Sequence, residues 1–173
     1  DGLIILAWGS QDQASATSTF ENYIQKIDKA GNKIGNEILV NTYLPFHQAL
    51  PKVINLHNGY FVLAWQSKEQ DGSEAGIYGQ AFDYNLNKIG GEFKVSSYSE
   101  LEQSEAYLFL IDAQNKEAIE FGVTYSSRQL DGDGDSIGYQ RFSFNSTDIE
   151  KYITQTGIEN NNLFEARRNL EHH

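Results

Sequence analysis

The chain has 173 residues, a formal net charge of −11, no cysteine and only two prolines. The missing cysteine excludes disulfides, thiolate catalysis and cysteine-held zinc. The acidic balance makes nucleic acid and anionic membrane surfaces poor partners, because both are met by basic patches. Such a surface suits calcium, cationic ligands or plain solubility. The longest apolar runs, residues 3–8 and 60–65, are too short to span a bilayer. Aromatics make up 13% of the chain, ten Tyr and ten Phe among them, which favours strands. The absence of Met and the start at Asp1 point to a processed chain or a piece of a larger one, and residues 170–173 read as the start of an expression tag.

Residues 3–8 read as a strand, and Leu6-Ala7-Trp8 recurs 57 positions later as Leu63-Ala64-Trp65. Lys33-Ile34-Gly35 recurs as Lys88-Ile89-Gly90 and Gln48 as Gln103, both 55 positions on, so the first copy carries a longer loop before Gln25. In the second copy residues 52–56 form a strand, and His57-Asn58-Gly59 is a tight-turn signal. Residues 60–65 are nearly all apolar, the pattern of a strand covered on both faces. After a polar loop at 68–76, residues 77–83 alternate. Ile77, Gly79, Ala81 and Asp83 take one face, and Tyr78, Gln80 and Phe82 the other. Residues 85–91 turn the chain into a fourth strand at 92–97, with Phe93 and Val95 on one face. In the third copy Tyr125 stands in the Trp65 place and Gln140-Arg141-Phe142 in that of Gln80-Ala81-Phe82, 60 positions on, and a fourth strand is expected near 151–154.

These landmarks predict one all-β domain over residues 1–169, with copies at about 1–49, 50–104 and 105–160. Each copy reads as a four-stranded antiparallel, blade-like unit. One such sheet cannot bury both faces of its central strand, so neighbouring units must stack, as in a propeller-type fold. A three-sheet β-prism is the alternative, because strand periodicity does not encode how sheets are arranged. The chain opens inside a second strand, so the first copy lacks its first strand. Residues 163–168 read either as that strand returning to close a ring or as a stretch left by an arbitrary cut.

The second copy carries Ala64-Trp65-Gln66-Ser67, Gln70-Asp71-Gly72-Ser73, Gly76-Ile77-Tyr78-Gly79-Gln80-Ala81-Phe82-Asp83 and Gly90-Gly91-Glu92-Phe93. This resembles tandem repeats of very large secreted and cell-surface proteins of bacteria and ciliates, regarded as propeller-type. The resemblance implies architecture and surface location more than an activity. It is close in copy two, partial in copy one, where Ile24 stands in the place of Gly79, and weak in copy three.

The sharpest local signal is Asp131-Gly132-Asp133-Gly134-Asp135-Ser136. Asp131, Asp133 and Asp135 at alternate positions can present hard oxygen ligands to one calcium ion, although no acidic residue follows at the distance a complete loop needs. The same stretch is equally a solvent-facing hairpin turn. Gln70-Asp71 and Gln11-Asp12 hold the corresponding place in the other copies, and Asp71 is expected to make an Asx-turn. The recurring Gln25, Gln80 and Gln140 are expected to bridge strands or blades, and Trp8, Trp65 and Tyr125 to fill the core. His47 and His57, the only histidines outside the tag, have no patterned Ser or Asp partner, and no nucleophile or phosphate motif is present. Asn145-Ser146-Thr147 is a glycosylation sequon. The expected function is a non-enzymatic extracellular interaction or adhesion module, calcium-stabilised, meeting a protein or glycan ligand and able to self-associate through repeat edges. A carbohydrate-binding domain is the alternative.

Overall fold

The computed structural model describes residues 2–14, 18–57, 59–72, 74–97, 102–112, 114, 118–128, 134–145 and 153–158. Regular structure among them is all strand, in three antiparallel units that follow the repeat. Unit one holds β1 (Ile4–Ser10), β2 (Ser18–Ile27) and β3 (Lys33–Leu39). Unit two holds β4 (Phe46–Asn55), β5 (Tyr60–Lys68), β6 (Ala75–Asp83) and β7 (Lys88–Lys94). Unit three holds β8 (Gln103–Asp112), β9 (Ala118–Arg128), β10 (Asp135–Asn145) and β11 (Ile153–Ile158). A short parallel pairing of β2 with β4 joins the first two units into a seven-stranded sheet, and β8 to β11 form a four-stranded one; neither closes on itself. The segment 163–168 lies outside the described residues.

The units meet face to face, which the alternation along β5 dictates. Phe61, Leu63 and Trp65 join Ile24 and Val40 of unit one in one core. Val62 and Ala64 turn the other way, into a second core with Ile119, Phe121, Val123 and Tyr125 of unit three. On β6, Tyr78 and Phe82 go to the first core and Ile77 and Ala81 to the second, as the alternation predicts. Unit two is therefore covered on both sides, which explains its continuous apolar run. The junctions also repeat. Phe20 pairs with His47, and 55 positions on Ala75 bridges to Glu102, each time tying the third strand of a unit to the first strand of the next.

The two end faces differ. Ile4 and Leu6 on the outer face of unit one are 46% and 45% exposed, whereas their counterparts Phe61 and Leu63 are 1% and 0%. The outer face of unit three is mixed. It carries the Arg141–Glu120 ion pair, Thr124 beside Tyr107, and Phe109 stacked on Tyr139 at 5.9 Å.

Polar side chains that recur hold strands together. The amide of Gln80 donates to the carbonyls of Ala81 (3.0 Å), Ile89 (3.1 Å) and Gly90 (3.2 Å). Gln25 donates likewise to Lys26 (2.9 Å), Ile34 (3.1 Å) and Gly35 (3.4 Å). Each sits where the ladder slips its register, and the facing Gly35 and Gly90 have φ of 71° and 66°, so the amide satisfies carbonyls that the bulge turns away from the ladder. Gln140 donates to Ser97 Oγ at 2.8 Å, linking unit three to the end of unit two. The turns that follow repeat too. Asp28 Oδ1 accepts the N–H groups of Ala30 (2.9 Å) and Asn32 (2.8 Å), and Asp83 Oδ1 those of Asn85 (2.9 Å) and Asn87 (2.8 Å). Hydrogen bonds from the Asn32 side chain and backbone hold the Asp28 carboxyl below its ordinary pKa.

One position breaks this economy. Asn22 is fully buried, and neither atom of its side-chain amide finds a partner among the described residues. Its counterpart 55 positions on, Ile77, is a core residue. Asn22→Ile is expected to stabilise the fold by about 1–2 kcal/mol, since a buried unsatisfied amide costs about that much. Thermal unfolding measures it, and a lowered melting temperature would contradict the assignment.

Candidate functional site

The end of β5 and the starts of β4 and β6 come together on one rim, as do the end of β9 and the starts of β8 and β10. There, two clefts occupy the same place in successive units, each between the bulge of a first strand and the end of the second. The cleft of unit two is lined by His47, Ala49, Gln66, Lys68, Glu69 and Glu102, with Glu74 at its edge. That of unit three is lined by Glu102, Ser104, Glu105, Ser126, Arg128 and Asp135. Ala49 and Ser104 are counterparts in the repeat, as are Gln66 and Ser126, and Lys68 and Arg128. The framework repeats while the lining chemistry changes. Glu102 belongs to both clefts, accepting from Gln66 Nε2 at 3.4 Å and pairing with Arg128 at 3.5 Å.

Behind the rim the hairpin loop is braced. Ser67 Oγ donates to Gln70 Oε1 (2.6 Å), and Gln70 Nε2 donates on to Glu92 Oε2 (3.1 Å). In unit one Ser10 donates to Gln13 (2.7 Å), and Gln13 donates to Glu37. The counterpart of Gln70 is thus Gln13, not Gln11. Glu92 also accepts the Thr42 N–H, tying the exit of unit one to unit two. Asp71 forms an ion pair with Lys94 at 2.6 Å, a bridge across to β7; Ser73, in the turn expected after it, lies outside the described residues. This acidic packing and burial push the Tyr78 hydroxyl up to about 12; burial is the larger cause, followed by Asp71, Glu92 and Tyr43.

Of the three expected calcium ligands, Asp131 and Asp133 lie outside the described residues. Asp135 is the exposed first residue of β10, paired in register with Arg128 and at the edge of the unit-three cleft. Among the described residues no three His, Asp or Glu side chains gather as a metal would need. Trp65 and Tyr125 are buried core residues, and Trp8 stacks on Tyr23 at 6.1 Å. His47 stacks on Phe20 at 5.4 Å at the inter-unit bridge. Sequence reading missed the rim clefts, whose signal was faint: Gln48 and Gln103 mark the first strands, but the bulges beside them are set by tertiary pairing. No family model, no curated protein and no solved structure matches the chain.

Proposed function

We propose that the chain is a non-enzymatic interaction module of a secreted or cell-surface protein, its units being blades of a propeller-type array and its acidic rim the recognition surface. The observation that carries this reading is the division of labour in the repeat. Side chains that recur, such as Gln25 and Gln80, are committed to joining strands, while the equivalent rim clefts differ in lining. Stacking of unit two between two separate cores supports blades over a prism, in which three sheets would share one core. Glu69, Glu74, Glu102, Glu105 and Asp135 favour a protein partner that presents Lys or Arg side chains. The carbohydrate reading loses the amides of Gln25 and Gln80 and the rings of Trp65 and Tyr125, all of which are committed or buried. Calcium held by Asp131, Asp133 and Asp135 stabilises the neighbouring hairpin in this proposal.

The test is titration of a lysine-rich peptide into the chain and into a Glu102→Gln/Glu105→Gln variant, with thermal unfolding followed with and without millimolar calcium. Binding that weakens with salt and falls roughly tenfold in the variant is expected. Calcium is expected to raise the melting temperature of the chain but not of Asp133→Ala. Binding indifferent to salt and to the two substitutions would remove the rim from the proposal, and an unmoved melting temperature would remove calcium.

A further inference from the structure

We propose that the free edge of β1 accepts an extended segment that carries the repeat's own first-strand pattern. This interface is separate from the acidic rim and goes beyond the reading given for it.

β5 is paired on both edges, by β4 and β6, and β9 likewise by β8 and β10; among the described residues β1 has β2 alone. An unpaired strand edge is a row of open backbone donors and acceptors, a template for one more strand. Beside this edge, between units one and two, lies a cleft of about 450 Å³ lined by Gly2, Leu3, Ile5, Lys26, Val53 and Phe61, with Asn55 and Tyr84 closing it. The equivalent space between units two and three is filled. There Ile54 of β4, opposite Val62, packs into the core with Tyr60, Leu108 and Phe121. Val62 is the counterpart of Ile5, Leu108 of Val53 and Phe121 of Phe61. The cleft therefore stands where a first strand on β1 would place the counterpart of Ile54. A strand added in the β4–β5 register sets that residue beside Ile5 and its predecessor beside the exposed Leu6.

The two first strands describe the occupant. Both open their antiparallel pairing with a fully buried glutamine, Gln48 opposite Ser67 and Gln103 opposite Ser127; Ser10 is the counterpart of both serines. Both then slip register around a residue of positive φ, Leu50 at 57° and Glu105 at 51°. Both then carry two adjacent apolar residues, Val53-Ile54 and Leu108-Phe109. The chain's own segment 163–168 fits poorly. Setting Glu165-Ala166 on Glu105-Ala106 brings Arg168 and Asn169 to those two positions, a cation and an amide against a mainly apolar cleft. The occupant is thus an added strand of that pattern, with main-chain hydrogen bonds giving affinity and the alternate side chains giving specificity.

A synthetic peptide copying residues 46–56 tests this with the full chain. Saturable binding is expected, read by Trp8 fluorescence, together with slowed hydrogen exchange in β1. The same peptide with Ile54→Asp, or scrambled, should bind roughly tenfold more weakly or worse. Because that change is in the peptide, the fold of the protein is not at issue. Equal binding of all three peptides, or none at about 1 mM, would overturn the proposal. So would β1 exchanging in the free chain as slowly as β5, which would mean that the chain fills its own edge.

Discussion

Gly79→Ile is expected to destabilise the protein by about 3 kcal/mol, and Phe93→Ile in the same chain to recover most of the loss. A Cβ at Gly79 would lie 2.5 Å from Phe93 Cζ, because the ring of the cross-strand partner lies over the glycine. Unit one solves the same cross-strand position differently: Ile24 faces Ile38, and Ile24 is fully buried. Glycine with phenylalanine and two isoleucines are alternative fillings of one space, so either residue changed alone leaves a clash or a void. Chemical denaturation of the two single variants and the double closes the cycle. The idea fails if the double variant is no more stable than Gly79→Ile. Gly138 under the Tyr125 ring, with 2.3 Å from its built Cβ to the ring, is the same device in unit three.

Replacing Gln80 with Leu should cost about 2–3 kcal/mol, and Gln25→Leu a similar amount. Each amide serves three carbonyls around a slipped register, and leucine in place of the buried glutamine leaves those carbonyls without their donor. The equality is the sharper part of the expectation, since the two sites share partners residue for residue. Urea unfolding of the two variants side by side decides it; a loss at Gln80 with none at Gln25 would show that the recurrence is sequence history without shared energetics.

Much of the fold was legible because it rests on local pattern. The alternation at 77–83 and the apolar run at 60–65 require a sheet covered on both faces, and the cores on either side of unit two are its result. β4 was harder to read. It begins at Phe46, six residues before the expected start, because the positive φ of Leu50 and the adjacent Pro51 interrupt the alternation that marks a strand. The Ser–Gln–Glu braces were hidden by the different loop lengths of the copies, which disguise Gln13 as something other than the partner of Gln70. Asp135 illustrates a deeper limit. Spacing offers it as a calcium ligand but does not show that hairpin register sets it opposite Arg128, because register depends on how the whole of β9 is buried. The turn built by Asp83 and Asn87 recurs at Asp28 and Asn32, a repetition that the sequence carries but that the strand pattern did not single out.

The unlike end faces would receive a further sheet at different cost. A further sheet laid on unit three would have to desolvate the Arg141–Glu120 pair, a cost that ionic attraction seldom offsets in a dry interface. One laid on unit one would cover Ile4 and Leu6, side chains of the kind that unit two already keeps from water. Of the two faces, that of unit one is the one on which apolar burial alone would favour a further sheet.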